Sequence, residues 1–430
     1  MVITKRSLVL GATAVVLTTV AVTGAGIYLS KSQAFFSESP RELVDEVWLI
    51  IHRQYVDATF NQVDWKAVRN EYLKRSYANQ EEAYTAIREM LKQLEDPYTR
   101  FMDPEEFKNM QIDTSGQLSG VGIQLAQDEE TKKLMVIAPI EDTPAFKAGV
   151  LAKDVITKID GKSTQGMDVN DAVKLIRGQE GTPVTLTIQR GNQEKDYQLT
   201  RARIEIRPVR YSLQNTPTGK VGYIRLNQFS ANAAEEMRDA IKDLETQRVT
   251  GYILDLRSNP GGLLYSSIEI ARMWLPEGTI VSTVDRQGET DRQQANNRAL
   301  TNKPMVVLVD GGSASASEIL SGALQDNKRA VLVGTKTFGK GLVQSVRGLR
   351  DGSGMAVTIA HYLTPEGRDI NKLGITPNVV VELTDAQRKE LQQDRTKIGT
   401  PADVQYAKAV DVLKQEIASK QGTRVASPTK

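Results

Sequence analysis

The stretch DGGSASASEIL, residues 310 to 320, decides how the second half of the chain is read. It follows MVVLV, an apolar run of β-forming residues, and leads into EILSGALQDNKRA, a helix-like run. A buried strand therefore stops at Gly311 and Gly312, and a helix starts within the serines. A serine at a helix start is ordinarily a cap, because its oxygen accepts an orphan backbone N–H. Two features add a second reading. Ligands of open α/β sheets gather beyond the carboxyl ends of the strands. Free N–H groups at a helix start can also hold an oxyanion. The residues alone leave cap and nucleophile open for Ser313, Ser315 and Ser317.

A serine nucleophile needs a base. The chain has no cysteine and only two histidines, His52 and His361. That removes disulfides, thiolate metal sites and a histidine-rich metal centre. His52 borders the apolar stripe of a helix and reads as a structural histidine. His361 has no carboxylate motif beside it in sequence. The other candidate is Lys340, in KTFGKGLVQ, where glycines allow close approach and apolar neighbours can desolvate the amine. Burial away from carboxylates lowers a lysine toward neutrality, the form that can accept a proton. A third segment, DLRSNPGGLL (255 to 264), places a tight turn at the end of another strand. Its glycines let backbone N–H groups approach a substrate carbonyl.

The 430 residues allow two or three domains, and a hydrophobic fraction of 40% with 25% charged residues is ordinary for a globular chain. A net charge of +2 gives no reason to expect nucleic acid as a partner. Lys5 and Arg6 precede an uncharged apolar stretch from Leu8 to about Leu29. Its length suits a membrane-spanning helix. Ser32 and Ala34 before Phe35 also suit a signal-peptide cleavage site. Both readings export the remaining chain, to a periplasm or a lumen.

Organisation changes three times after that segment. Residues 39 to 110 read as helical: SPRELVDEVWLIIHRQY, then EEAYTAIREMLKQL, then a short helix from Met102 to Met110. Residues 113 to 204 alternate short apolar strands with Gly and Pro turns, around one helix, DVNDAVKLIRG. Residues 206 to 383 alternate strands and helices, the pattern of a sheet covered by helices. The final 45 residues are polar, with one amphipathic segment, DVQYAKAVDVLKQEI, and a last ten that read as a disordered tail.

NPGG, SASASEI and TFGKGLVQ, in that order, resemble the carboxyl-terminal-processing (tail-specific) proteases of peptidase family S41. DPYTRFM (96 to 102) and TPEGRDINKLGITPNVVVE (364 to 382) agree, so the resemblance covers nearly all of the chain after residue 39. Each motif alone is weak, and the ordered set is specific. The resemblance implies an α/β crotonase/Clp-like protease core, an inserted PDZ-like β domain and an N-terminal helical region. The implied boundaries are 1–35 for the signal peptide or membrane anchor and 36–112 for the helical region. They continue with 113–204 for the PDZ-like domain, 205–384 for the serine protease core, and 385–430 for a C-terminal helix and flexible tail.

By the same resemblance Ser315 is the nucleophile and Lys340 the general base, with Gln344 positioning the lysine. Ala316 and Gly261 or Gly262 supply the oxyanion hole. Gly120, Val121, Gly122 and Ile123 receive a substrate's C-terminus, as in a PDZ domain that adds a peptide strand and captures its carboxylate. Arg177 would report occupancy to the core. Asp326 takes a supporting role in some descriptions of the family, ranked below Gln344 because a nearby carboxylate raises a lysine pKa. The implied partners are unstructured C-terminal tails of exported proteins, and the membrane if the N-terminal segment is retained. A homo-oligomer stays open, and neither metal nor cofactor is expected. DEVWLIIHRQYVD and EDPYTRFMDPEEF look closest to the cyanobacterial and plastid branch, where the substrate is the D1 precursor of photosystem II. Two rival readings are a PDZ scaffold with an inactive core and a crotonase-like acyl-transfer enzyme using CoA.

Overall fold

The computed structural model describes residues 39 to 425 apart from 129, 130, 141, 206, 217, 218 and 289. The expected anchor or signal segment lies outside the described residues. Among those described, no helix is long and apolar enough to cross a membrane.

The centre is a six-stranded sheet, ordered Val209–Thr216, Gly219–Leu226, Gly251–Asp255, Met305–Val309, Val331–Gly334, Val379–Val380. Its first pair is an antiparallel hairpin and the remaining pairs are parallel. Alternate side chains leave opposite faces of a strand. Tyr252, Leu254, Val307 and Val309 accordingly enter one core, with the helices Ala233–Thr246, Leu264–Trp274 and Ala316–Asp326. Ile253, Val306 and Leu308 enter another, with Tyr406, Ala409, Val412 and Leu413 of the helix Val404–Val425. A parallel sheet buried on both faces needs such continuous apolar runs, which MVVLV supplies. The C-terminal helix is thus the cover of one face. The expected disordered tail is corrected in part. Residues 421 to 425 continue this helix, because extending a formed helix adds one hydrogen bond for each residue fixed, and 426 to 430 lie outside the described residues.

The helices Pro40–Gln54, Trp65–Lys74 and Gln80–Lys92 share a core with Phe101, Leu349, Met355 and Val357. The N-terminal region therefore packs on a second sheet, in which Gly354–Leu363 pairs with Arg100–Met102, Thr279–Asp285 and Leu342–Gly348. Helix Trp65–Lys74, capped by Asp64, has no counterpart in the sequence reading. The short helix expected from Met102 starts later. Arg100–Met102 pairs as a strand, Asp103 caps the amides of Glu105 and Glu106, and the helix runs from Pro104 to Ser115. It crosses the boundary expected at 112.

The small β domain forms a five-stranded path, Ile123–Gln127, Leu134–Pro139, Val155–Ile159, Pro183–Arg190, Gln193–Thr200, with Lys162–Ser163 attached to the third strand. Ile123–Gln127 is the edge strand. The strand Gln117–Gly120 pairs with Ala202–Glu205 where the chain enters and leaves the domain.

Candidate active site

The three serines separate by what holds them. Ser313 is fully buried and donates its Oγ–H to the Leu256 carbonyl at 2.8 Å. Ser317 is fully buried and donates to the Asn259 carbonyl at 2.9 Å. Both lash the helix start to the segment Leu256–Asn259. Ser315 is half-buried and occupies the N-cap position in a capping box with Glu318, but its Oγ–H, unlike those of Ser313 and Ser317, donates to no acceptor among the described residues. Its backbone has φ 55° and ψ −113°. A positive φ on a non-glycine residue costs on the order of 1–3 kcal/mol and persists only where surrounding structure enforces it.

That enforcement is visible. The Asn259-Pro260-Gly261-Gly262 turn lies against the serine: a Cβ at Gly261, whose φ is +102°, would stand 2.9 Å from Ser315 Cβ and 3.0 Å from the Ala316 nitrogen. Only glycine permits that approach. The Gly261 N–H donates to Asn259 Oδ1 at 2.9 Å, so it is already engaged. Gly262 sits in a parallel bridge to Phe229 whose two bonds are carried by its neighbours, Phe229 N–H to Gly261 O and Leu263 N–H to Phe229 O. The N–H groups of Gly262 and Ala316 donate to no acceptor among the described residues. Tyr362, almost fully buried, donates its hydroxyl to the Ser315 carbonyl at 3.2 Å, and burial raises that phenol well above its ordinary value.

Lys340 reaches the same place on the loop 335 to 341. Phe338 N–H donates to Ser313 O at 3.1 Å. Glu318, at zero exposure on the first turn of the serine helix, joins both segments. Its carboxylate accepts the Ser315 N–H at 2.9 Å, Thr337 Oγ1–H at 2.6 Å, the Gly339 N–H at 2.7 Å and the Lys340 N–H at 2.9 Å. A buried carboxylate is costly unless hydrogen-bonded, and these donors meet that requirement without a cation. Neither Glu318 nor Thr337 was singled out from sequence. The signal available was a charged residue on an otherwise apolar helix turn.

The Lys340 ammonium has no hydrogen-bond or ion-pair partner among the described residues. Its Nζ stands 4.6 Å from the centroid of the Tyr98 ring. Burial pushes its pKa below the ordinary lysine value, helped by Arg100, while Asp96 and Glu318 pull the other way. Gln344 Nε2 is 3.4 Å from Thr358 Oγ1, which donates to Asp96 Oδ2 at 2.6 Å. The structure thus brings Gly261 against Ser315 and Ala316, with Gly262 next in the turn, and joins the backbone of Lys340 to that of Ser315 through Glu318; Gln344 lies on the strand that follows.

Asp326 is not part of this group. It ends the serine helix, about 16 Å of helix rise from Ser315, where it pairs with Arg368 and accepts the Glu366 N–H at 3.1 Å. These contacts hold the 364–368 turn, and none of them reaches Ser315 or Lys340. His361 lies 3.5 Å from Asp369, and His52 stacks on Trp48 at 4.8 Å.

In the β domain, Gly122 has φ +80° and packs so closely that a Cβ would meet Thr143 at 2.3 Å. Its carbonyl accepts the Ile140 N–H at 2.8 Å, and the Val121 carbonyl accepts the Ala145 N–H at 2.9 Å. The N–H groups of Val121 and Gly122 have no acceptor among the described residues. In sequence they directly precede Ile123–Gln127, which ends the strand order of the domain's sheet. Arg177 donates to Asn109 Oδ1 at 2.9 Å, on the helix Pro104–Ser115, and touches none of the groups around Ser315.

Comparison with known proteins settles the family. Peptidase family S41 matches residues 220–381, a PDZ domain matches 135–190, and the Tricorn protease C1 domain matches 36–92. A carboxyl-terminal-processing protease of Synechocystis is 48% identical over 400 residues, covering 92% of both chains. The chain belongs to the carboxyl-terminal-processing proteases of peptidase family S41. Carboxyl-terminal-processing peptidase 2 of Arabidopsis chloroplasts is 42% identical, over 77% of this chain and 67% of its own. The solved photosystem II D1 C-terminal processing protease is 37% identical, with a TM-score of 0.56 over 85% of this chain and 99% of that one. The fold is accordingly the α/β S41 protease core with a PDZ domain and an N-terminal helical region. The CoA-dependent rival has no support in these relatives.

Proposed function

We propose that this processing protease is a serine endopeptidase with a Ser315–Lys340 dyad, acting on loose C-terminal tails of exported proteins. One observation carries the reading. Of three serines at one junction, Ser315 alone has a strained backbone and a hydroxyl proton donated to no acceptor among the described residues, and it packs against Gly261 and is joined through Glu318 to the lysine loop. Neutral Lys340 would take the Ser315 hydroxyl proton as the oxygen attacks the scissile carbonyl. The N–H groups of Ala316 and Gly262 would receive the oxyanion. The lysine then returns the proton to the leaving amine, and water releases the acyl group. Ser315 Oγ and Lys340 Nζ share no hydrogen bond in this structure, so the lysine must swing to the serine; such bonds are often long before substrate arrives. Gln344, at the start of the strand beyond the lysine, would steady it after that swing.

Tail specificity would come from the PDZ domain. A peptide would add as a strand beside Ile123–Gln127, its carboxylate held by the backbone N–H groups of the Gly120–Ile123 loop. Arg177, through Asn109, would link occupancy to the core. Export follows from the apolar N-terminal segment, with a periplasm or thylakoid lumen as the destination, and the tail of the D1 precursor is the first named substrate to offer. The test compares wild type, Ser315→Ala and Lys340→Ala on an unstructured peptide with a free or an amidated apolar C-terminus. Both substitutions are expected to abolish cleavage and amidation to weaken it. Cleavage by Ser315→Ala would return the serine to the role of a cap.

A further inference from the structure

The segment Asp96–Arg100 comes from the N-terminal region, yet it forms one wall of the lysine's surroundings. Asp96 fixes the segment. Its Oδ1 accepts the Tyr98 N–H at 2.9 Å, and its Oδ2 accepts Thr99 Oγ1–H at 2.7 Å and Thr358 Oγ1–H at 2.6 Å. Thr99 Oγ1 also accepts the Thr358 N–H at 3.0 Å, which ties the segment to the strand Gly354–Leu363. With the backbone so held, the Tyr98 ring is presented to Lys340 at 4.6 Å from centroid to Nζ. An ammonium at this distance from a ring face is attracted by the ring's quadrupole, most strongly where water is excluded. No other side chain or carbonyl bonds the Lys340 ammonium among the described residues.

We infer that Tyr98 is a positioning residue, the seat on which the Lys340 ammonium rests between turnovers, and that the lysine leaves this ring to reach Ser315. The inference rests on the reading of Lys340 as the base. The ring favours the charged lysine and gives nothing to the neutral amine, so leaving the seat and losing the proton are one change. The other charged groups that act on the lysine come from three elements: Asp96 in the same segment, Arg100 on the following strand, and Glu318 on the serine helix. Asp96 and Glu318 favour the ammonium as the ring does, and Arg100 opposes it. The tyrosine hydroxyl has no part in this, because the quadrupole belongs to the ring.

The experiment replaces Tyr98 with phenylalanine and then with phenylalanines carrying one, two and three ring fluorines, which weaken the quadrupole in steps at nearly constant shape. The acidic limb of kcat/KM against pH is expected to stay within about 0.2 unit of wild type for Tyr98→Phe. It should then move to lower pH with each fluorine, by about half a unit or more across the series, a shift within the known strength of such contacts. The pH dependence of Lys340 acetylation by acetic anhydride, read by mass spectrometry, should move in parallel and needs no catalysis. A limb and a labelling curve that ignore the fluorines overturn the seat. So does a shift already complete in Tyr98→Phe, which assigns the effect to the hydroxyl. If labelling moves but the limb does not, the seat stands and Lys340 is not the base. Because the series keeps the ring volume, loss of folding does not intervene; melting of each variant within a few degrees of wild type checks this.

Discussion

Two cations sit close to the active centre, and the chain treats them in opposite ways. Arg257, just before the Asn259–Gly262 turn, is 7% exposed. It donates to Asp255 at 3.0 and 2.6 Å, to Asp403 at 3.0 and 2.7 Å, and to Gln405 Oε1 at 3.0 Å. Burial opposes its charge, but the two carboxylates outweigh burial and raise it further above its ordinary value. Lys340 is also largely removed from water, but it has a ring face in place of a carboxylate, and burial lowers its pKa. The arginine is a fixed charge that locks the C-terminal segment beneath the turn. The lysine is a charge that its surroundings make easy to lose. Clamp and proposed base differ less in how deeply they are buried than in whether a carboxylate reaches them.

The comparison can be broken most severely at the clamp. Arg257→Met leaves Asp255 and Asp403 buried without their partner and is expected to lower stability by about 3–5 kcal/mol in denaturant unfolding. Its pH dependence carries a sign. Burial raises the Asp255 carboxyl, but Arg257 outweighs burial and holds it below the ordinary carboxylate value. That contribution is present above the ordinary value and is lost as pH falls through the lowered one, so wild type should lose stability faster than the variant on acidification. Glu318→Gln is expected to cost less stability, about 1–3 kcal/mol, because one donor group replaces an acceptor among backbone N–H groups. It should cost activity disproportionately, about 100-fold in kcat/KM, since a small misplacement of catalytic groups is enough for that. A loss of activity no larger than the loss of folded protein would make Glu318 an ordinary buried carboxylate.

The smallest effect sharpens the comparison from the other side. A lysine whose folded pKa is depressed costs stability at pH below that folded value, and the cost disappears as pH rises to the unfolded value near 10.5. Lys340→Met is therefore expected to melt no lower than wild type at pH 7, with any advantage shrinking as pH approaches about 10.5. A clear drop in melting temperature at pH 7 would show that the lysine, like the arginine, is there to stabilise.

Much of the fold was legible because its signals are local. MVVLV, YILDL and AVLVG are short apolar runs bounded by turn residues, and each is a strand of the central sheet. The junction at 310 to 320 resolves as the strand and helix expected there. Which serine carries a positive φ was not legible, because the groups packed against Ser315 include Gly261, more than fifty residues earlier, as well as Glu318. DPYTRFM could be quoted as a motif, but nothing local says that Tyr98 faces a lysine 242 positions later. The helix Trp65–Lys74 was passed over although its buried positions, Trp65, Val68 and Tyr72, fall at helical spacing, because three apolar positions in ten residues are a weak signal. The pairing of Asp326 with Arg368 was not legible either, because the two stand 42 positions apart.

The helix Val404–Val425 has a consequence in time. A ribosome makes the chain from its N-terminus, so Ser315 and Lys340 exist before Asp403, and one face of the central sheet stays bare until Tyr406 and Leu413 follow. The group that braces the glycine turn arrives after the serine and lysine that face it. The turn beside the candidate nucleophile is therefore braced last, by a segment that lies beyond every strand of the sheet.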